Sequence, residues 1–182
     1  MDTIAFDDYE EKMMKSIESL GRDFAAVRSG RASPALVEKV MVEAYGTEMP
    51  LNQVASISVP EARLLVIQPF DKNNIAAIER AIHKSDLGIN PSNDGSVIRL
   101  GFPALTEERR KDLVKMVKKR AEEARVSIRN IRRDAMEDIK KVDGVPEDEV
   151  KRSQDQVQKL TDRYVDEIDK SLDNKEKEIM EV

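Results

Sequence analysis

The stretch TEERRKDLVKMVKKRAEEARVSIRNIRRDAMEDIKKV, from Thr106 to Val142, decides the fold. It holds no proline and no glycine, and apolar residues return at Leu113, Val117, Ala121, Ala124, Ile128, Ile131, Ala135, Ile139 and Val142. Intervals of three and four keep such residues on one face of an α-helix. At 1.5 Å per residue that helix is roughly 55 Å long, more than a compact domain of this size needs. Thr106 followed by Glu107 and Glu108 supplies a hydroxyl cap and acid in the first turn. A second stripe lies beside the first. At 100° per residue Lys118, Arg125, Arg129 and Arg132 fall within about 60° of one another, roughly a quarter turn from the apolar centre. Arg133 sits just past the edge. The helix thus has an apolar side for its own protein and an arginine ridge turned outward.

Working outward toward the N-terminus, Phe6, Tyr9, Met13, Ile17, Leu20, Phe24 and Val27 mark an amphipathic helix from about Asp7 to Arg28. It runs into Arg28-Ser29-Gly30-Arg31-Ala32-Ser33-Pro34, where glycine and the residue before proline both disfavour continuing. Between Gly30 and Pro103 lie six of the seven prolines and five of the seven glycines, and the texture changes. Short β-rich runs at 40–45, 55–59, 64–67 and 97–100 replace helical periodicity, with a hairpin-type turn at Asn93-Asp94-Gly95-Ser96. One helix, about Lys72 to Ser85, interrupts them. Gly101-Phe102-Pro103 then returns the chain to the long helix. The expected organisation is a small α/β domain over 30–104 inserted into a helical domain formed by 1–29 and 105–182.

Beyond Val142, Gly144 and Pro146 make a turn that stops one helix and starts the next. Val150, Val157, Leu160, Tyr164, Ile168, Leu172 and Ile179 mark a third amphipathic helix, roughly 147–180. Three helices with one apolar stripe each predict an antiparallel three-helix bundle. The rival is a homo-oligomeric coiled coil. The tight turn at Gly144 folds the last two helices together within one chain, so a monomer is the expected state.

Composition narrows the function. The 182 residues contain no cysteine and one histidine, which excludes a disulfide framework and a thiolate or histidine-rich metal site. No run is long and apolar enough for a membrane span, and the acidic Met1-Asp2-Thr3 start does not resemble a targeting signal, so a soluble cytoplasmic protein is expected. The formal net charge of −5 hides an asymmetry: residues 105–142 carry 13 basic and 8 acidic side chains, leaving the rest of the chain at −10. One cationic ridge on an otherwise anionic protein favours docking in one orientation over general affinity for polyanions. The glycines match no phosphate-cradling pattern. His83 lacks cysteine or serine partners of a recognisable kind, and the carboxylate pairs Asp7-Asp8, Glu107-Glu108 and Glu122-Glu123 fall on exposed positions or first turns. No catalytic residue, cofactor or metal is expected.

For the arginines two readings stand. One is a solvated face braced by pairs four residues apart, with Glu122 and Glu123 neutralising Lys118 and Lys119. The other is phosphate: Arg129 has no acid four residues to either side, and guanidinium suits bidentate phosphate contact. Aromatics amount to 4%, so backbone and shape recognition of structured RNA is the form this would take.

Several segments also resemble one family. Val27-Arg28-Ser29-Gly30-Arg31-Ala32-Ser33-Pro34, Leu105-Thr106-Glu107-Glu108-Arg109-Arg110-Lys111 and Ile128-Arg129-Asn130-Ile131-Arg132-Arg133-Asp134-Ala135 closely resemble ribosome recycling factors. Tyr45-Gly46-Thr47, Ser85–Pro91 and Gln158–Asp162 match as well, in order along essentially the whole chain. Ser29 stands where many members have threonine, which keeps the hydroxyl. The resemblance implies a long three-helix bundle and a small β/α/β sandwich domain joined in an L like a transfer RNA. It implies binding to the large ribosomal subunit after peptide release, with elongation factor G and its GTP hydrolysis then separating the subunits so that messenger and deacylated transfer RNA leave. By matching positions, Arg28, Arg31, Arg129 and Arg132 would contact ribosomal RNA, with Arg110, Arg125 and Arg133 as further candidates. Ser29, Gly30, Ser33, Pro34, Gly101 and Pro103 would form the hinge. The runner-up is a helical adaptor or chaperone whose bundle holds other proteins.

Overall fold

The computed structural model of the chain describes residues 4–181. In chain order the elements are α1 (Phe6–Ala26), β1 (Met41–Ala44), β2 (Thr47–Pro50), a one-turn α2 (Leu51–Val54), β3 (Ala55–Glu61), β4 (Leu64–Pro69), α3 (Ile75–Lys84), β5 (Ser92–Asn93), β6 (Ile98–Gly101), α4 (Glu107–Lys141) and α5 (Glu147–Met180). They form two units, one of Met1–Ser29 with Thr106–Val182, the other of Gly30–Leu105.

In the helical unit the caps set the element ends. Thr106 Oγ1 accepts a hydrogen bond from the Arg109 N–H at 3.0 Å, and Glu107 and Glu108 follow in the first turn of α4. Lys140 and Lys141 occupy its last turn, where the carbonyl end favours cations. Gly144 takes φ +78, a left-handed turn open to glycine, and α5 begins with Glu147, Asp148 and Glu149.

Pairs across the helices give their directions. Tyr9 donates to Asp138, and the Ser16 and Ser127 hydroxyls lie 2.8 Å apart, so α1 runs antiparallel to α4. Arg125 meets Asp169 and Lys118 meets Glu176, so α5 also opposes α4. Tyr164 donates to Glu10 at 3.1 Å and Ser29 to Glu178 at 2.9 Å, which sets α1 and α5 parallel. The apolar stripe of α4 is covered within one chain: Leu113, Val117, Ala121, Ala124, Ile128, Ala135 and Ile139 are buried. Two of the expected core positions depart from this. Ile131 is only half-buried, and Val142, one residue past the last helical turn, is exposed.

The small unit has two antiparallel sheets, β1–β2 and β3–β4–β6–β5. Leu65 of β4 lies opposite Leu100 of β6, and Ile67 opposite Ile98, all four fully buried. Ile78 and Ile82 of α3 enter the same core. Pro60 falls where the β3–β4 register shifts, a place where a missing N–H is tolerated. The expected turn after Asn93 is present: Asp94 accepts from the Ser96 and Val97 N–H groups at 2.9 Å, and β5 pairs with β6. Three elements escaped the sequence: β2, α2 and β5. The first, Thr-Glu-Met-Pro, has no buried residue to betray it, and the others are too short to show a period.

Both connecting runs of the small unit attach to one place. The Ala32 N–H donates to the Ala62 carbonyl and the Phe102 N–H to the Arg63 carbonyl, each at 2.8 Å, so the incoming and outgoing runs hang on the two-residue turn between β3 and β4.

Candidate nucleic-acid interface

The expected ridge on α4 is not one uniform surface. Arg125 is tied into the bundle: its Nε and Nη2 donate to Asp169 Oδ1 on α5 at 2.9 and 2.7 Å, and its Nη1 to Glu122 at 3.1 Å. Its side chain is 19% exposed. Partial burial works against its charge, but the Asp169 and Glu122 carboxylates outweigh that and raise its pKa. Arg132 is half-buried, and its Nη1 donates to Gln158 Oε1 at 3.3 Å, with Gln158 in turn donating to Asp162 at 2.9 Å. Arg129, 52% exposed, reaches Glu122 at 3.3 Å. Arg133 is exposed and has no ion-pair or hydrogen-bond partner among the described residues.

This corrects two expectations. Arg125 does not face outward as an unoccupied cation, because the edge of the ridge nearest the apolar seam is the edge that α5 covers. Glu122 does not neutralise Lys118. It is held by the Arg125 hydrogen bond, which keeps its pKa low against partial desolvation, and then by Arg129. Lys118 pairs instead with Glu176 on α5 at 3.7 Å. A carboxylate seven residues away can serve Arg129 because two helical turns separate them by only about 20°.

Arg28 lies just past α1 and is exposed without a partner among the described residues; Arg31 is exposed and Arg110 half-buried. The residues expected to form a hinge have their own geometry. Ser29 is bound to Glu178, which also pairs with Lys175 at 3.2 Å. Gly30 takes φ +77, and a Cβ there would meet Leu105 Cγ at 3.2 Å and the Pro103 carbonyl oxygen at 3.5 Å. Ser33 Oγ accepts from the Ala35 N–H at 3.4 Å, opening a short 3-10 turn at Pro34–Leu36. Gly101 ends β6 and Pro103 follows it, both exposed.

Two further arginines were not anticipated. Arg109 and Arg120, on the opposite flank of α4 from the ridge, line a groove with Arg28 beside the end of α1. The spacing of 11 residues puts them within about 20° of each other. That groove depends on α1 lying alongside, which periodicity alone does not show. No group of acidic or histidine side chains among the described residues could hold a metal ion, and no helix there is long and apolar enough to cross a membrane.

A long three-helix bundle with basic side chains on both flanks of its middle helix, and a small sheet-bearing unit inserted after its first helix, defines a particular class of two-unit α+β protein. The model of the family described as ribosome recycling factor matches residues 20–180. The ribosome-recycling factor of Halalkalibacterium halodurans is 62% identical over 178 residues, covering 96% of both chains, and that of Syntrophomonas wolfei is equally similar. Among solved structures, a solution structure of the ribosome recycling factor superposes with a TM-score of 0.77 at 49% identity, covering 97% of this chain and 96% of that one. A second, the Thermus thermophilus factor described with Escherichia coli elongation factor G bound to the post-termination complex, gives 0.62 at 47% identity, covering 96% of each. The chain belongs to the ribosome recycling factor family.

Proposed function

We propose that the protein docks on ribosomal RNA of the large subunit after termination and acts with elongation factor G. That partner hydrolyses GTP, the subunits separate, and messenger and deacylated transfer RNA leave for a new round of translation. The protein performs no catalysis of its own, works as a monomer in the cytoplasm, and binds through Arg129, Arg132 and Arg133 with Arg28, Arg31 and Arg110. The observation that carries this reading, beside family membership, is Arg133 and Arg28: exposed guanidinium groups without a carboxylate partner among the described residues, on a protein of net charge −5. Unneutralised arginine on an anionic surface fits oriented phosphate binding. The test has two parts. Co-sedimentation with large subunits should weaken steeply as salt rises, because phosphate contacts release counterions. Light scattering of post-termination ribosomes should then fall only when the protein, elongation factor G and GTP are all present. Salt-insensitive binding, or splitting without the partner, would refute the proposal.

A further inference from the structure

Apart from Arg28, the groove on the α1 side of α4 has no place in the ridge-based reading. It encloses about 360 Å³ between Arg28 at the end of α1 and Arg109, Leu113, Met116 and Arg120 on the first half of α4, with Asp23 on its α1 wall. That volume lies in the range of sites that hold small ligands or single groups of larger ones. Three guanidinium groups surround it against one carboxylate. Arg120 reaches Glu123 at 3.5 Å, while the Arg28 and Arg109 side chains have no ion-pair or hydrogen-bond partner among the described residues. Between the charges the surface is apolar: Leu113 is buried, but Met116 is 40% exposed, with nothing of this unit covering it. Arg120 lies about 120–180° around α4 from Arg132 and Arg129, so this is a second cationic surface and not an extension of the first.

We infer that this groove binds a short unpaired stretch of ribosomal RNA, its phosphates held by Arg28, Arg109 and Arg120 and one base laid on Met116. The inference rests on the ribosome-binding reading above and deepens it. Charge complementarity selects a polyanion. The apolar floor selects one that also carries flat, weakly hydrated faces, and an unstacked nucleotide has both. Arg109 and Arg120 stand about 16 Å apart along the helix axis, a span that suits phosphates two or three nucleotides apart on one strand better than a single anion. An acidic protein segment would satisfy the arginines but gains less from the exposed methionine. With the ridge on one flank and this groove on the other, the bundle would be gripped by RNA from two sides.

The experiment uses the full chain and large ribosomal subunits. Arg109→Ala with Arg120→Ala should weaken binding tenfold or more. It should also lower the slope of log affinity against log salt by about 1.4, the value for two phosphates of a single strand. Met116→Glu, at an exposed position, should weaken binding without altering the thermal melt, and Met116→Leu should restore it. Chemical probing should show a nucleotide protected by the wild type and reopened by Met116→Glu, while the protections lost in Arg132→Ala stay in place. If the groove variants melt, bind and protect as the wild type does, the inference is overturned. If they lose affinity for intact subunits but not for protein-free ribosomal RNA, the occupant is a ribosomal protein and the inference also falls. Absence of binding by the wild type itself would instead refute the ribosome-binding reading.

Discussion

Arg125 and Arg132 are two turns apart on one face, and their neighbours set them different tasks. Arg125 spends its fork on Asp169 and Glu122. Arg125→Ala should therefore lower stability by about 1 kcal/mol, a typical net value for such bonds at a partly exposed site, with little change in ribosome affinity. Arg132 makes one long bond to an uncharged amide. Its loss should reduce stability by less than about 1 kcal/mol. Ribosome binding should weaken by about 1.5–3 kcal/mol, the usual range for a charged hydrogen bond and roughly tenfold to more than a hundredfold. Arg132→Lys should recover part of that, since an ammonium lacks the planar fork. Melting curves of each variant beside its affinity at fixed salt decide this; normal binding by Arg132→Ala would remove the residue from the interface. Gly30 offers a different residue-scale test. Gly30→Ala meets both the positive φ and the 3.2 Å approach to Leu105 Cγ, and should cost about 1–2 kcal/mol in a denaturant titration.

Among the elements, α4 depends on its ends and its neighbours more than on propensity. Thr106→Ala removes the acceptor for the Arg109 N–H and should lower stability by about 1 kcal/mol, readable as a drop in denaturant midpoint at constant slope. The α1–α4 seam carries a pH signature. Burial first, then the hydrogen bond to Asp138 and that carboxylate's charge, push the Tyr9 phenol from its ordinary value of 10.0 up to about 12. The folded state thus holds a proton that the unfolded chain gives up. The stabilisation is complete below pH 10 and is lost as pH rises from 10 toward 12. Wild-type stability should fall more steeply across that window than that of Tyr9→Phe, whose ring cannot ionise. Parallel slopes for the two proteins from pH 9 to 12 would show that Tyr9 is not coupled to folding in this way.

At the scale of the whole molecule, the proposed function needs the small unit to move as a body. Its two connecting runs are short, and both hang on the Ala62–Arg63 turn. A hinge at those runs is expected to confine such motion to a narrow set of axes. A disulfide engineered across the two connecting runs should leave large-subunit binding largely unchanged and stop subunit splitting. Splitting at the normal rate by the cross-linked protein would mean that recycling does not use this hinge. Ser29→Ala, which frees the run from Glu178, should alter the splitting rate far more than the affinity.

Helix lengths, the three apolar stripes, the turns at Gly144 and Asp94 and the segment carrying the positive charge were all legible in the sequence. Each is a property of neighbouring residues, and periodicity, caps and turn chemistry are local. Family membership was legible too, through the blocks around Arg28, Thr106 and Arg132. What a charge does was not local. Whether Arg125 is a brace or an exposed cation depends on where Asp169 stands, 44 residues further along, and only the packing of α5 against α4 puts it within 2.7 Å. Glu122 chose partners three and seven residues ahead over Lys118, because α5 supplied Lys118 with Glu176. The groove of Arg28, Arg109 and Arg120 likewise exists only because α1 lies beside the first half of α4. A helical wheel assigns each side chain an angle; the neighbouring helices decide which angles face water.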